Sequence, residues 1–545
     1  MNARKLLALC SLVAVVVSAC APAARGTPVV QQITVEVPME ATSPAFGGAV
    51  PVPTQSPYEP PPPADLNRSS EESQAAHPTW PPYPTAEPYA TPWPEPPRDD
   101  YGVNPFMDTR EDHLSTFAMD VDTASYTKMR DYINAGQLPP PDLVRVEEFI
   151  NYFNMEYPDP ASGAFSVNLE GGPAPFGDEG TWLLRVGIQG RHIAGWERKD
   201  ALLTFVIDVS GSMADENRID MVKYGLTRLV DRLGPNDRVA IVAFSEDAWV
   251  VLEPTSVENR QRILDAINSL YPMNSTNTEA GLRLGYDLAH RNYRDGAINR
   301  VILCSDGVAN VGNTDPYTLA QYAQDYYGRN IFLSTVGVGH GNYNDELLEQ
   351  LADKGNGVYS FLDSREAAER IFTQDLEGTL QTIAKDAKIQ VDFNPYVVRG
   401  YRLLGYENRA VADRDFRNDT VDAGEVGAGH SVTALYEVQF YSEASGDAAV
   451  VRVRYEDPDT RAVAEISNTL RREDFQRDFN RTSPRFQLAA AVAQFAEVLR
   501  YSPYTRGEQA RRIADLAYAV QLQLPFDPDV GEFAQLVGRA VEMMR

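Results

Sequence analysis

The sequence predicts an α/β protein with a doubly wound, mainly parallel sheet, a flanking β-rich companion domain and C-terminal helices. Three features of the pattern support this fold class. Between residues 201 and 364, short apolar runs alternate with amphipathic segments, which is typical of a parallel sheet covered by helices on both faces. Further strand-like runs lie on both sides of this stretch. Residues 483 to 545 carry apolar stripes at helical spacing.

The N-terminal residues have the pattern of a targeting segment. Basic residues precede an apolar run from Leu6 to Val17, which is too short to span a bilayer and has the proportions of a signal peptide. The sequence VSAC at 17 to 20 resembles a bacterial lipobox. We therefore predict a lipoprotein signal peptide over residues 1 to 19. The mature protein would be extracytoplasmic and anchored in the cell membrane or outer membrane by lipid on Cys20.

Residues 20 to 100 are predicted to form a disordered tether. Of the 38 prolines in the chain, 20 lie between residues 21 and 100, in runs such as YEPPPPADL. Proline removes backbone donors and fixes an extended geometry, so a packed core cannot form there. A proline-rich ligand for a recognition domain is the alternative interpretation.

Composition excludes several functional classes. Acidic residues outnumber basic residues 77 to 49, and the resulting net charge of −28 argues against a nucleic-acid partner. The three cysteines lack the spacing of a zinc site or a disulfide framework. Cys304 lies within an apolar strand and is predicted to be a small buried side chain. His430 has no nearby ligand partner in sequence and is predicted to be structural.

Residues 101 to 199 form an N-terminal flanking segment, predicted as a short strand, two helices and then further strands. Within it, FAMDVDTAS matches the nucleophile motif of haloacid-dehalogenase-type phosphatases through Asp120 and Asp122. That enzyme class needs a complete doubly wound sheet after the motif, whereas GQLPPPD interrupts any crossover unit here. We therefore predict that Asp122 is a helix N-cap.

The central α/β unit is assigned to residues 200 to 375. The predicted strands are ALLTFVID, RVAIVAFS, AWVVLEP, RVILCSD, NIFLSTVGVG and GVYSFL. The predicted helices lie within RIDMVKYGLTRLVDRL, NRQRILDAINSLY, residues 278 to 290, TLAQYAQDYY and DELLEQLADKG. Sheets of this kind bind ligands at the carboxyl ends of their strands. The loops DVSGS, NSTNTEAG and SDG occupy such positions.

Residues 376 to 545 are predicted to form a β-rich domain that ends in helices. The helical run REAAERIFTQDLEGTLQTIA leads into the strands AKIQVDFN, HSVTALYEVQFY and AAVVRVRYED. Ser483 is the expected cap of the first terminal helix, with Pro484 in its first turn. Strands from residues 160 to 200 and from the C-terminal part are expected to form one β-sandwich interrupted by the α/β unit.

The loop DVSGS offers three oxygen-bearing side chains at alternate positions: Asp208, Ser210 and Ser212. In an extended loop, side chains at this spacing point to one side, so their oxygens can converge on one cation. Hard divalent cations prefer such oxygen ligands. The alternative interpretation is that Asp208 and Ser210 cap the following helix.

With Thr276 and Asp306, these residues fill all five places of a known signature, Asp-x-Ser-x-Ser with a distant threonine and a distant aspartate. The chain therefore resembles the von Willebrand factor type A family, with its metal-ion-dependent adhesion site. GQLPPPDLVRVEEFINYF and DAGEVGAGHSVTALYEV further resemble a bacterial lipoprotein subgroup that has an N-terminal flanking segment and a C-terminal domain of unassigned function. The resemblance covers nearly everything after residue 110.

The resemblance implies a Rossmann-like fold and one bound Mg²⁺, with Mn²⁺ or Ca²⁺ as alternatives. It implies that Ser210, Ser212 and Thr276 bind the cation directly or by turns, and that Asp208 and Asp306 act largely through water. It also implies a protein partner that offers an Asp or Glu to the metal.

These observations together predict a membrane-tethered binding protein that is not an enzyme. Two alternatives stay open, a metal-dependent hydrolase or phosphatase and a structural envelope component with a purely stabilising metal. An enzyme of that kind requires a general base near the metal, and the motif loops offer only Glu279.

Overall fold

The structure is a computed structural model. It describes residues 30–31, 102–194, 197–273, 275–307, 316–327, 329–339, 345–375, 380–419, 421, 423–505 and 509–544. The predicted signal peptide and Cys20 lie outside the described residues, as does the predicted tether except for Val30–Gln31. Among the helices described, none combines the length and apolar character needed to cross a membrane.

The strands and helices follow one another along the chain within these ranges. The strands are β1 (Val30–Gln31), β2 (Met107–Asp108), β3 (Leu114–Ala118), β4 (Phe165–Pro173), β5 (Thr181–Gly190), β6 (Ala201–Asp208), β7 (Arg238–Phe244), β8 (Ala248–Ser256), β9 (Ile298–Ser305), β10 (Phe332–Val338), β11 (Tyr359–Leu362), β12 (Thr382–Phe393), β13 (Val398–Leu404), β14 (Gly424–Gly427), β15 (Ser431–Phe440), β16 (Asp447–Glu456) and β17 (Val463–Arg471). The helices are α1 (Ala124–Asn134), α2 (Val146–Asn151), α3 (Arg218–Val230), α4 (Arg260–Asn268), α5 (Thr278–Arg291), α6 (Pro316–Tyr327), α7 (Asp345–Lys354), α8 (Arg365–Glu369), α9 (Pro484–Leu499), α10 (Gln509–Gln523) and α11 (Pro528–Met543).

The central unit is a doubly wound sheet with the strand order β11-β10-β9-β6-β7-β8. Its neighbouring strands are parallel except β8, which pairs antiparallel with β7 at one edge. Along β6, Phe205 and Ile207 contribute to the core on one face and Val206 to the core on the other. This explains the continuous apolar run of β6, because both faces of the strand are buried. The predicted fold class is confirmed.

Helix α5 packs very close to β6. A Cβ atom at Gly285 would lie 2.3 Å from Cγ2 of Val206, a distance that real side chains do not reach. The glycine therefore allows the helix that follows the Thr276 loop to approach the strand that carries Asp208.

Two further sheets enclose a separate apolar core. One has the order β2-β13-β15-β5-β4, and the other contains β17, β16, β12 and β14, with β3 pairing with β12. Strands from before the α/β unit pair directly with strands from after it, β5 with β15 and β3 with β12. The structure thus contains the interrupted sandwich expected from the sequence.

The terminal helices pack against the N-terminal helices. The rings of Phe153, after α2, and Phe533, in α11, lie 5.6 Å apart, and Phe495 in α9 lies 5.9 Å from Phe533. These helices share one apolar core. Residues 101 to 199 and 376 to 545 are therefore distant in sequence but share both of their cores.

Local predictions outside the α/β unit had mixed outcomes. The predicted cap is confirmed at Ser483, whose Oγ accepts a hydrogen bond from the Phe486 N–H at 3.1 Å. The helical run predicted from residue 365 is confirmed over Arg365–Asp375, where α8 continues into a π-helical turn, and only its end is wrong, because Thr382 already begins β12. Strands β13, β14 and β17 were not predicted from the sequence.

The prediction that Asp122 caps α1 is also wrong. Thr123 occupies the N-cap position. The Asp122 carboxylate instead accepts a hydrogen bond from the Tyr359 N–H at 3.0 Å and forms an ion pair with Arg409 at 3.5 Å. The carboxylate therefore binds residues that are distant in sequence instead of capping the adjacent helix.

Candidate metal centre

Asp208 is the last residue of the central strand β6 and is fully buried. Its Oδ1 accepts a hydrogen bond from the Ser210 N–H at 2.8 Å, and its Oδ2 accepts one from Ser305 Oγ at 2.7 Å. Ser305 ends the neighbouring parallel strand β9. Contacts on both oxygens therefore fix the orientation of the carboxylate.

The two serines of the first loop lie side by side. The Oγ atoms of Ser210 and Ser212 are 3.1 Å apart. Ser210 is buried and Ser212 is half-buried. Ser210 does occupy the N-cap position of the 3₁₀ helix Gly211–Asn217, but its side chain makes no capping hydrogen bond. This geometry does not support the alternative interpretation of Ser210 as a helix cap.

Thr276 lies in the loop before α5 and is 2% exposed. Ser245, the residue after β7, holds this loop by two hydrogen bonds. The Asn277 N–H donates to Ser245 O at 2.7 Å, and Ser245 Oγ donates to Ser275 O at 2.9 Å. The same loop is bound to the first loop through the Met273 N–H, which donates to Val209 O. The structure therefore joins the loops of Asp208 and Thr276 directly.

Asp306 follows β9 and is 2% exposed. Its Oδ2 accepts a hydrogen bond from Nη1 of Arg218 at 3.1 Å. Burial, reinforced by the negative charge of Asp306, raises the pKa of Asp208 to about 7. Two buried carboxylates therefore lie near each other at the carboxyl ends of β6 and β9, where a positive charge would stabilise their ionised forms.

The chemistry of these side chains fits a hard divalent cation. The five predicted residues offer hydroxyl and carboxylate oxygens only, which are the ligands preferred by Mg²⁺ and Ca²⁺. Within the described ranges, no group of three or more histidine, cysteine, aspartate or glutamate side chains could hold a metal. The candidate centre is therefore an oxygen site rather than a zinc-type site.

The other candidate residues occupy different environments. Cys304 is fully buried in β9, and burial raises the pKa of its thiol, so it is not an activated nucleophile. Glu279 forms an ion pair with Arg283 at 3.8 Å. Asp120, the other carboxylate of the phosphatase-like motif, accepts a hydrogen bond from Nε of Arg409 at 2.9 Å. These contacts give no support to an enzymatic role for Glu279 or Asp120.

Two residues of the centre were not found from the sequence. Ser305 was within the SDG loop, and the parallel pairing of β6 with β9 could have placed it beside Asp208. Arg218 begins α3, and no local pattern distinguishes it from an ordinary helix residue. Its role depends on a contact across 88 positions of sequence.

Three family models match most of the chain between residues 98 and 543. The family model described as von Willebrand factor type A domain matches residues 203–375, one described as von Willebrand factor matches 98–185, and one described as "Uncharacterized protein YfbK, C-terminal" matches 378–543.

Two bacterial relatives and one human relative illustrate the range of similarity. The chain is 35% identical to YfbK of Escherichia coli K12 over 439 residues, covering 76% of each protein. It is 30% identical to protein sll0103 of Synechocystis over 35% of this chain and 44% of that protein. It is 29% identical to human inter-alpha-trypsin inhibitor heavy chain H3 over 28% of this chain and 18% of that protein. Among solved structures, a von Willebrand factor type A protein from Catenulispora acidiphila aligns with a TM-score of 0.42 and 17% identity, covering 68% of this chain and 89% of that one.

Proposed function

Because this chain belongs to the YfbK family and carries a von Willebrand factor type A domain, a domain type that often mediates metal-dependent protein interactions, we propose that it is a metal-dependent binding protein. It binds one divalent cation, Mg²⁺ in the first instance and Mn²⁺ or Ca²⁺ as alternatives. The cation lies between the three loops that carry Asp208, Thr276 and Asp306. It captures a protein partner through an Asp or Glu side chain of that partner, and it is not an enzyme.

The observation that carries the proposal is the set of oxygen-bearing side chains, buried except for the half-buried Ser212, on the loops that follow β6 and β9 and on the loop before α5. Ser210, Ser212 and Thr276 offer neutral hydroxyl oxygens, while Asp208 and Asp306 supply negative charge. These side chains would hold a divalent cation, which would attract a carboxylate oxygen of the partner. Because the direct ligands are neutral, such a cation keeps a strong attraction for the incoming carboxylate.

Exposed apolar side chains near this edge favour a protein as the partner. Tyr271 is 64% exposed and Met273 is 39% exposed, in the loop whose backbone is bound to Val209. Trp249 at the start of the edge strand β8 is also 39% exposed. Aromatic and methionine side chains are enriched at protein interfaces.

Electrostatics requires the attraction to be local. The net charge of −28 would repel an acidic partner at long range, and salt screens charges beyond about 8 to 10 Å. Capture should therefore depend on the cation more than on ionic strength. The same net charge argues against nucleic acid as a partner.

We further propose that the protein lies outside the cytoplasm, attached to the cell membrane or outer membrane by lipid on Cys20. The motif VSAC supports the lipid anchor, and the 20 prolines between residues 21 and 100 support an extended tether. A tether of this kind would let the binding edge reach partners away from the membrane surface.

Calorimetry and a capture assay test the proposal. Wild-type protein should bind one Mg²⁺ or Mn²⁺ per chain, and Asp208→Ala should not. Thr276→Ala should reduce capture of solubilised envelope proteins in Mg²⁺ to the level seen with chelator, while circular dichroism stays unchanged. The matched control is Thr204→Ala, which removes a buried hydroxyl with no hydrogen-bond partner among the described residues and should leave capture intact.

The outcomes separate the proposal from its alternatives. Equal metal binding by wild type and Asp208→Ala would place the site elsewhere. Metal binding combined with chelator-resistant capture would indicate a purely stabilising metal. Metal-dependent hydrolysis of phosphate or ester substrates would indicate the enzyme.

A further inference from the structure

Arg218 is the first residue of α3 and lies at the candidate metal centre. Its Nη1 donates to Oδ2 of Asp306 at 3.1 Å, and its Nη2 lies 3.5 Å from Oε2 of Glu216. The Arg218 side chain is 13% exposed and that of Asp306 is 2% exposed. A permanent positive charge is thus held, largely out of water, against one of the two site carboxylates.

The backbone before Arg218 adopts an uncommon conformation that brings this side chain to the site. Glu216 and Asn217, the two residues before it, both lie in the left-handed region, with φ of +52° and +59°. Non-glycine residues adopt this region infrequently. Between Ser212 and α3, the backbone therefore passes through two unfavourable conformations, directly before the helix begins at Arg218.

The end of β10, the strand next to β9, also makes room for Arg218. Gly339, directly after β10, has φ of +91°, and a Cβ atom there would lie 2.0 Å from Nε of Arg218. Any other residue at this position would displace the guanidinium and strain the backbone. Two separate segments, Glu216–Asn217 and Gly339, thus accommodate the same side chain.

The charge of Arg218 opposes the charge of a bound metal. With no cation present, Arg218 compensates Asp306, which is buried near the second carboxylate, Asp208. When a divalent cation enters, the guanidinium and the cation repel each other and compete for the lone pairs of Asp306. Each should therefore weaken the binding of the other.

We propose that Arg218 is a built-in competing cation that holds Asp306 in the metal-free state and raises the metal concentration needed to fill the site. The inference rests on the proposed metal binding at these loops. It adds a regulatory property, namely that the site fills only above a threshold of divalent cation set by one arginine. Arg218 acts through Asp306, so it is a positioning residue rather than a metal ligand.

Calorimetric titration with Mn²⁺ of the purified full-length protein tests this role. Arg218→Gln keeps a hydrogen-bond donor but removes the charge, and should bind Mn²⁺ on the order of tenfold more tightly than wild type. Arg218→Lys keeps the charge and should stay close to wild type. A merely structural role for Arg218 would instead weaken Mn²⁺ binding in the glutamine variant.

The matched control is Arg198→Gln. Arg198, just before the α/β unit, pairs with the buried Asp237 of that unit, its side chain is 18% exposed, and Asp237 precedes β7 at the opposite end of the sheet. Its loss should leave Mn²⁺ affinity unchanged. In thermal unfolding, both glutamine variants should be less stable than wild type in EDTA. Saturating Mn²⁺ should remove the difference in melting temperature from wild type for Arg218→Gln, but not for Arg198→Gln.

Two results would overturn the inference in distinguishable ways. Unchanged or weaker Mn²⁺ binding by Arg218→Gln, beside normal binding by wild type, would reject the competing role and leave the proposed function standing. Absence of Mn²⁺ binding in wild type and in all variants would reject both the role of Arg218 and the metal site itself.

Discussion

Replacing Arg409 with methionine would test how strongly one guanidinium joins three parts of the chain. Arg409 lies between β13 and β14, and its Nε donates to Oδ2 of Asp120 at 2.9 Å. Its other nitrogens lie 3.5 Å from Oδ2 of Asp122 and 3.1 Å from Oδ1 of Asp353. Asp120 and Asp122 belong to the N-terminal segment, and Asp353 belongs to α7 of the α/β unit.

The structure sets the expected size of the effect. The side chains of Asp120 and Asp122 are only 3% and 7% exposed, so losing the arginine leaves buried, uncompensated charge. Removing one partner of a buried ion pair costs roughly 3–5 kcal/mol. Asp353 is 37% exposed and should add little. Because Asp122 keeps the hydrogen bond from Tyr359, we expect Arg409→Met to lower the free energy of unfolding by about 3–5 kcal/mol in total at pH 8.

The loss should depend on pH with a defined sign. Burial and the charge of Asp120 raise the pKa of Asp122 well above its usual value, whereas Arg409 acts in the opposite direction. A carboxyl group with a raised pKa in the folded state favours folding below its unfolded pKa, and this contribution is lost as pH rises through the folded pKa. Without Arg409 the pKa of Asp122 rises further, so the variant should lose more stability at pH 8 than at pH 5.

Urea unfolding followed by circular dichroism at pH 5 and pH 8 would measure the effect. Arg417→Met is the matched control, because Arg417 is 64% exposed and pairs with Glu465 at 2.8 Å, so its loss should cost under about 1 kcal/mol. Adding Asp122→Asn to Arg409→Met should recover part of the stability. A loss below about 1 kcal/mol at pH 8, or an equal loss at both pH values, would refute the reasoning.

Two further predictions concern the membrane anchor and the packing beneath the metal centre. Cys20→Ser should release or misprocess the protein, and mass spectrometry of the wild-type N-terminus should find lipid on Cys20; an unmodified N-terminus at another residue would contradict the anchor. Gly285→Ala should cost about 1–3 kcal/mol in urea unfolding, because the added Cβ meets Val206 at 2.3 Å. Gly538→Ala in α11 is its control, since nothing lies within 4 Å of the added Cβ, and equal effects of the two changes would contradict the close-packing argument.

The α/β unit could be predicted from the sequence because its information is local. Each strand is a short apolar run and each helix has its own apolar stripe, so the order of elements from β6 to β11 follows without knowledge of distant contacts. The candidate metal residues could be predicted from the sequence for a related reason. Asp208, Ser210 and Ser212 form one short motif at a strand end, and the family signature supplied Thr276 and Asp306.

Only the tertiary structure decided the contacts between residues far apart in sequence. The pairing of β3 with β12 and of β5 with β15 depends on which apolar faces must be buried together, and no local pattern encodes the choice of partner. The same holds for single side chains. Asp122 has the local appearance of a helix cap, yet Tyr359 and Arg409 bind its carboxylate, while Arg218 looks like an ordinary helix residue and contacts Asp306. A buried charge takes whichever partner the fold brings within reach, and that partner is set by packing rather than by neighbouring sequence.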